Sequence, residues 1–177
     1  MITLEQLGQI CLLARTGRLA LFLEPLNEAM DEFHISDAPA RAQAFIAQLA
    51  HESGSFRYVC ELASGAAYEG RADLGNTEPG DGVRYKGRGL IQITGRANYA
   101  QCSAALFGDA AKLIDSPALL EQPIYACRSA AWFWVAHGLN ELADAGDFQR
   151  ITRRINGGLN GYVDRLAYFA RAQQVLA

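Results

Sequence analysis

Residues 42–61 constrain the fold of this chain most, because they describe an amphipathic helix that carries a carboxylate on its apolar face. The apolar residues at helical spacing are Ala42, Phe45, Ile46 and Leu49. Three positions beyond Leu49 the stripe reaches Glu52, where another apolar side chain is expected. Gly54 then ends the helix, and a second carboxylate, Glu61, follows after a turn.

Two carboxylates in unlike surroundings are typical of enzymes that hydrolyse glycosidic bonds. We expect Glu52 to keep its proton among apolar side chains, whereas Glu61, which is better solvated, stays ionised. The alternative is that Glu52 is a surface residue in the last helical turn and that Glu61 is a solvated loop acid.

Most of the remaining chain also has helical periodicity. Apolar stripes predict further helices over residues 3–15, from 20 or 25 to 33, 98–107, 110–114, 125–137, 148–155 and 162–175. Residues 125–137 are apolar on nearly all sides, which predicts a central buried helix. The alternative is that the aromatic side chains of this helix line a sugar-binding cleft, because such rings stack on the faces of sugars.

Residues 64–89 are rich in glycine and predict a loop-rich lobe without long helices or strands. At the end of this lobe, the sequence VRYKGRGLIQITGR at 83–96 predicts a hairpin of two short strands. Alternation in the second strand gives a polar face on which Gln92 and Thr94 lie with Leu90. An amide and a hydroxyl there suit the positioning of a water or a sugar hydroxyl beside a carboxylate. The alternative is an ordinary solvent-facing surface.

The size and charge of the chain narrow the function classes. Its 177 residues, half of them apolar, suit a single domain, residues 1–177, with a sizeable core. The formal net charge of −3 argues against general binding of nucleic acid or of an anionic membrane. No apolar run reaches membrane-spanning length, and the N-terminus lacks the basic segment of a signal peptide. We therefore expect a protein made in the cytoplasm without stable membrane insertion.

The cysteines predict thiols and not disulfides or a metal site. The four cysteines form no CxxC pair and do not have the spacing of zinc ligands; they are Cys11, Cys60, Cys102 and Cys127. Cys60 precedes Glu61 directly, and the alternative that its thiol is a nucleophile needs a histidine partner.

Three stretches of the chain together resemble a known family. They are AHESGSF at 50–56 with Glu61 downstream, YKGRGLIQITGRANY at 85–99 and ITRRINGGLNGYVDRLAYF at 151–169. In order and spacing they resemble the glycoside hydrolase family 19 chitinases, and more closely the compact branch found among phage and prophage endolysins. The resemblance implies an all-α, lysozyme-like fold of two lobes around a cleft, with a small β-hairpin. It also implies an inverting reaction on β-1,4-linked N-acetylated sugars that uses no metal and no cofactor.

The resemblance also implies roles for individual residues. Glu52 matches the general acid and Glu61 the general base, and Thr94 matches the residue that helps to hold the attacking water. The positions that match substrate-binding residues are Gln92, Asn98, Tyr85, Asn156 and Arg165. Arg165 is further expected to keep a carboxylate ionised by charge pairing. His51 is either a structural hydrogen-bonding residue or a catalytic one.

The chain departs from plant-type chitinases in two respects. Glu61 follows Glu52 after an interval of only nine positions, which leaves Glu69, Asp73 and Glu78 as alternative bases. The cysteines also lack the disulfide pattern of the plant enzymes, as expected for folding in a reducing cytoplasm. Both departures favour the endolysin branch.

The expected function is hydrolysis of the glycosidic bond between N-acetylmuramic acid and N-acetylglucosamine in peptidoglycan by a monomeric endolysin. The alternatives are a chitinase and a catalytically silent sugar-binding relative. The enzyme is expected to be made in a host cytoplasm without a signal peptide and to reach the periplasmic wall after holin-type release. Because no separate wall-binding domain is expected, affinity is assigned to the cleft and to the basic residues Arg150, Arg153, Arg154 and Arg171.

Overall fold

The computed structural model describes residues 1–176, and in that part of the chain there are ten α-helices and three short 3-10 helices. The α-helices are α1 (Leu4–Ile10), α2 (Thr16–Glu32), α3 (Pro39–Glu52), α4 (Asp81–Arg84), α5 (Arg96–Phe107), α6 (Lys112–Asp115), α7 (Pro123–Ala136), α8 (Leu139–Asp144), α9 (Phe148–Asn156) and α10 (Tyr162–Val175). The 3-10 helices span Ala66–Tyr68, Ala72–Leu74 and Pro117–Glu121. The predicted mainly helical fold is confirmed.

Helices α1–α3 and α7–α10 form one body around α3. Helix α3 packs against α10, and α2 packs against α7. Seven consecutive residues of α3, from Ala44 to Ala50, are buried, so this helix has no solvent face over two turns. Phe45 contacts Trp134 of α7 edge to face, with ring centroids 5.2 Å apart. The helix that carries Glu52 is therefore buried on all sides, and α7, the helix predicted to be central, packs against α2, α5 and α8.

The second lobe is built from the glycine-rich segment and helices α4–α6. Helix α5 and the 3-10 helix Pro117–Glu121 both pack against α7 and join this lobe to the body. Within the lobe, Arg96 makes a bidentate ion pair with Asp81, whose side chain is almost completely buried. A buried charge of this kind needs such a partner, so the pair fixes α5 against α4.

The prediction of a two-stranded hairpin at residues 83–96 is wrong, because this segment forms no regular strands. The segment forms only two isolated antiparallel bridges, Cys60 with Arg88 and Arg88 with Ile93, and a turn separates Arg88 from Ile93. Two residues of this turn, Gly89 and Gln92, have φ angles of 81° and 58°. Left-handed backbone interrupts the two-residue alternation of a strand. As a result Leu90, Ile91 and Ile93 are all buried.

The residues described, 1–176, contain no helix that combines the length and the apolar character needed to cross a membrane.

Candidate active site

Glu52 is the last residue of α3, and α10 holds its carboxylate. Arg165 Nη2 donates a hydrogen bond of 2.5 Å to Glu52 Oε1, while Nη1 of the same guanidinium donates to Gln48 Oε1. The side chain of Arg165 is 2% exposed, whereas that of Glu52 is 20% exposed. One arginine therefore fixes the orientation of the acid and still leaves part of its carboxyl group open to solvent.

Further bonds connect this pair to α9 and to its own neighbours. Gln48 Nε2 donates to Thr152 Oγ1 over 2.8 Å, and this ties α3 to α9 inside the core. His51 Nδ1 lies 2.6 Å from Asp164 Oδ2, directly beside the Glu52–Arg165 contact. Gly161 makes room for the imidazole, because a Cβ atom there would overlap the His51 ring. His51 thus has a structural hydrogen-bonding role.

The expected surroundings of Glu52 need a correction. The apolar stripe predicted an acid among apolar side chains, but the structure gives it an ion pair with buried Arg165. The resemblance placed Arg165 at a carboxylate without specifying which one, and the contact is with Glu52. The reason for the error is that an apolar stripe on α3 does not reveal which residue of α10 packs onto its end.

A left-handed turn leads from Glu52 towards Glu61. Gly54, Ser55 and Phe56 have φ angles of 57°, 59° and 64°. Each non-glycine residue in this conformation costs roughly 1–2 kcal/mol, so the turn needs support from its surroundings. Ser53 Oγ accepts from the Phe56 backbone N–H, and Arg18 Nε donates to the Phe56 carbonyl.

Packing completes the support of this turn. The Phe56 ring is fully buried and lies 5.7 Å from the ring of Phe22, measured between centroids. Ser55 Oγ lies within hydrogen-bonding distance of the Tyr168 hydroxyl, at 2.8 Å. The connection between the two acids is therefore held on both sides.

Glu61 is held by the turn that follows α4. Its backbone N–H donates to the Gly87 carbonyl, and the Gly87 N–H donates to Glu61 Oε2 over 3.1 Å. The Tyr68 hydroxyl donates to the other oxygen, Oε1, over 3.0 Å. Burial, and then the bond to Glu61, raises the pKa of Tyr68, so this hydroxyl remains a donor. Two donors on a carboxylate suit an ionised base.

Tyr68 and Gly87 were missed by the sequence analysis. Gly87 is required at this position because a Cβ atom would lie 2.7 Å from Gln92 Oε1 and 3.3 Å from Glu61 Oε2. The signal available was the KGRG sequence around Gly87. Tyr68 has no such signal, because it lies within a short 3-10 helix of the glycine-rich lobe.

The three alternative bases, Glu69, Asp73 and Glu78, lie in surroundings unlike those of Glu61. Both carboxylate oxygens of Glu69 accept backbone N–H groups, from Gly80 and Gly82, so this side chain braces a loop. Asp73 makes a bidentate contact with Arg71. Glu78 is exposed in the loop before α4. The geometry therefore favours Glu61 over these three acids.

Gln92, Thr94 and Asn98 form a hydrogen-bonded series, and Gln92 lies close to Gly87, which contacts Glu61. Thr94 Oγ1 donates to the Gln92 carbonyl, and Asn98 Nδ2 donates to the Thr94 carbonyl. All three residues line a groove with a volume of about 380 Å³. The opposite side of this groove is formed by the end of α7, including Trp132, Phe133 and His137. The aromatic residues of α7 thus divide between groove and core, since Trp134 is fully buried.

The remaining predicted site residues lie in different places. Tyr85 is 1% exposed, and its hydroxyl donates to the Ile114 carbonyl, so the structure does not bring it to the groove. Its ring packs instead on Tyr99, with centroids 5.3 Å apart. Asn156 ends α9, and its buried Nδ2 atom has no hydrogen-bond partner within residues 1–176. An unpaired buried donor is costly, which makes Asn156 a candidate contact for a ligand.

The thiol alternative is disfavoured. Burial raises the pKa of Cys60, and Glu121 adds to this effect. A nucleophilic cysteine requires the opposite shift. The thiol donates a weak bond to the Glu61 carbonyl over 3.8 Å, so Cys60 has a packing role.

Comparison with known proteins identifies sequence relatives. Residues 37–145 match the family model for glycoside hydrolase family 19, described as chitinase class I. A family 19 domain-containing protein of Haemophilus influenzae is 39% identical over 105 residues, which are 59% of this chain and 49% of that protein. An Arabidopsis thaliana endochitinase is 36% identical over 131 residues, which are 74% of this chain and 44% of the relative. The chain thus spans about half, or less, of the curated relatives it matches.

Solved structures share the fold. Chitinase C from Streptomyces griseus superposes with a TM-score of 0.79 at 24% identity, over 99% of this chain and 76% of that one. A class IV chitinase from Zea mays superposes with a TM-score of 0.75 at 23% identity, over 99% and 92% of the two chains. The predicted lysozyme-like helical fold is therefore confirmed.

Proposed function

The chain belongs to glycoside hydrolase family 19, and from this membership we propose that it is an endolysin-type glycosidase of peptidoglycan. The bond hydrolysed is the β-1,4 linkage between N-acetylmuramic acid and N-acetylglucosamine. The observation that carries the proposal is the Glu61 carboxylate, which accepts hydrogen bonds from Tyr68 and Gly87 beside a groove lined by Gln92 and Thr94. The three sequence motifs favour the endolysin branch.

In the proposed reaction Glu61 takes a proton from a water that attacks the sugar, and Glu52 gives a proton to the departing glycosidic oxygen. Tyr68 and Gly87 hold the Glu61 carboxylate in one orientation throughout. Arg165 stabilises the Glu52 carboxylate that remains after proton delivery, which is the ion pair present in this structure. Thr94 helps to hold the water, and Gln92, Asn98 and Asn156 contact the sugars.

Chitin hydrolysis is the second candidate function. The groove between Thr94 and α7 contains no side chain of Asp, Glu, Lys or Arg among its lining residues, which suits an uncharged polymer of N-acetylglucosamine. Three of the proteins compared above are also named as chitinases or endochitinases.

The proposal extends to delivery and assembly. The enzyme acts as a monomer, is made in a host cytoplasm and reaches the periplasmic wall through a holin-type lesion. These features rest on the resemblance to endolysins.

The test is product analysis on two substrates. Mass spectrometry of digested sacculi should show soluble disaccharide peptides, and we expect Glu52→Gln and Glu61→Gln each to lower the rate by roughly 10²–10⁴. The matched control is Glu78→Gln, which removes an exposed carboxylate of the same lobe. Intact sacculi together with degraded chitin oligomers would instead support the chitinase. Parental rates for Glu52→Gln would exclude Glu52 as the acid.

A further inference from the structure

The connection between the two acids carries an exposed cation that the proposed reaction does not use. Arg57 directly follows the left-handed turn and is exposed. Its guanidinium lies over the ring of Tyr58, with Cζ 4.9 Å from the ring centroid. The Tyr58 ring in turn lies close to Gly54, since a Cβ atom there would be 3.1 Å from Tyr58 Cδ2. Stacking on an aromatic face holds a guanidinium in place while its N–H groups remain free.

Arg57 has no carboxylate partner. Six of the fourteen arginines form ion pairs with acids: Arg41, Arg71, Arg88, Arg96, Arg128 and Arg165. No side-chain carboxylate of residues 1–176 lies within 4.0 Å of the Arg57 guanidinium. The positive charge of Arg57 is therefore not neutralised by an adjacent acid.

Two neighbouring arginines strengthen the positive charge. Arg18 donates to the carbonyls of Phe56 and Arg57 themselves. Arg171 lies over the ring of Tyr168, whose hydroxyl contacts Ser55 in the same turn. Both guanidiniums use backbone carbonyls or rings as partners, so their charge is not cancelled by an adjacent acid. The turn is therefore surrounded by three cations.

Arg57 lies close to Glu61 along the chain. Glu61 is four positions after Arg57, so the two Cα atoms are at most about 14 Å apart. Arginine has a long side chain, and substituents of a glycan extend away from its sugar rings. A group attached close to the bond that is cut can thus meet the guanidinium.

We propose that Arg57, stacked on Tyr58, binds a carboxylate carried by the glycan strand. This inference rests on the proposed function, because it assumes a peptidoglycan substrate. Peptidoglycan has two sources of such carboxylates: the peptide stem, and the lactyl ether of muramic acid once the peptide has been removed. Chitin has neither. A guanidinium binds carboxylates through paired N–H donors, so Arg57 is a residue that distinguishes the two polymers.

The experiment compares Arg57→Ala with the parent on three substrates. Intact sacculi carry peptide carboxylates, amidase-stripped glycan strands carry only lactyl carboxylates, and chitin oligomers carry none. We expect kcat/KM to fall about tenfold on the substrate whose carboxylate is bound, mainly through KM, and to be unchanged on chitin oligomers. Loss on sacculi alone identifies the peptide carboxylate, loss on stripped strands alone identifies the lactyl carboxylate, and loss on both substrates shows that Arg57 binds either group.

Three controls exclude a general structural or surface effect. Arg57→Lys keeps the charge but not the planar fork, so it should recover part of the loss. Added salt should reduce the difference between the parent and Arg57→Ala, because exposed charges are screened. Arg15→Ala removes another exposed arginine outside ion pairs, at the N-cap of α2, and should leave the rates within twofold of the parent.

Several results would overturn the inference. These are an unchanged rate of Arg57→Ala on sacculi and stripped strands, an equal loss on chitin oligomers, or an equal loss for Arg15→Ala. If the parent does not cut chitin, the salt dependence and the Arg15 control decide. If the parent releases no products from either peptidoglycan substrate, the proposed function itself fails, and this outcome is distinct from a parent that cuts sacculi and an Arg57 variant that matches it.

Discussion

Replacing Arg165 by methionine should destabilise the protein far more than replacing an exposed arginine that makes the same kind of contact. Arg165 is 1% exposed and donates to both Gln48 and Glu52. Methionine keeps most of the apolar stem but removes both bonds. Gln48 is fully buried, so its orphaned oxygen costs about 1–3 kcal/mol. The cost at Glu52 is smaller than for a fully buried charge, because a carboxylate that is 20% exposed can bind water.

Together these terms give a loss of about 3 kcal/mol in the free energy of unfolding. For a chain of this length that corresponds to a fall of about 6–12 °C in Tm. The matched control is Arg41→Met, because Arg41 also makes a bidentate contact, with Asp144, but the two side chains are 23% and 40% exposed. Exposed pairs contribute less than about 1 kcal/mol, so Tm should fall by less than about 4 °C.

Calorimetric melting of both variants and of the Glu52→Gln/Arg165→Met double variant would test this reasoning. Because the two residues are in contact, the double variant should lose less stability than the sum of the single variants. If Arg165→Met melts within 2 °C of the parent protein, or if Arg41→Met is equally destabilised, the argument from burial is refuted.

Three other predictions follow from residues away from this pair. Gly161→Ala should destabilise the protein by more than about 1 kcal/mol in thermal melts, since a Cβ would overlap the His51 ring at a φ of 70°, whereas Gly158→Ala, where space is open, should change little. The bond from Arg96 holds the pKa of Asp81 below its ordinary value. The ion pair therefore stabilises the protein at neutral pH, and this stabilisation is lost as pH falls through the lowered pKa. In urea titrations the Asp81→Asn variant should lose less free energy of unfolding on acidification than the parent. Burial raises the pKa of Cys11 and of Cys102 to about 12. A thiol reagent should therefore label the partly exposed Cys60 first, and Cys11 and Cys102 only on unfolding. Simultaneous labelling of the three cysteines would contradict this order.

The sequence predicted the helices and the two candidate acids because both depend on local pattern. The stripe from Phe45 to Leu49 predicted the buried face of α3, and Gly54 correctly indicated where this helix ends. The hairpin was predicted wrongly for a related reason. Alternation of Leu90 to Thr94 indicates a strand, but packing overrides it: Gly89 is left-handed and approaches Ser129 of α7 so closely that a Cβ would lie 2.9 Å from its hydroxyl.

The contacts that define the candidate site depend on residues distant in sequence. Arg165 is 113 positions from Glu52, and no periodicity on α3 or α10 indicates which acid it meets. Tyr68 reaches Glu61 from an irregular lobe whose path is set by tertiary packing. Tyr85 lies in a motif that resembles a substrate-binding region, yet its hydroxyl is occupied by a backbone carbonyl in the interior. The motifs therefore indicated which region of the chain holds the candidate site, and only the structure distinguished the residues that line it from those buried in the core.

The left-handed residues 54–56 lie between the anchors of the two acids. One acid is anchored upstream to α10 and the other downstream to the turn at Gly87, so the intervening segment carries neither anchor. The distance between the two carboxylates is therefore set by these anchors and not by the segment that joins them. Since that distance distinguishes inversion from retention in the proposed reaction, substitutions at the anchors are the ones expected to change the stereochemical outcome.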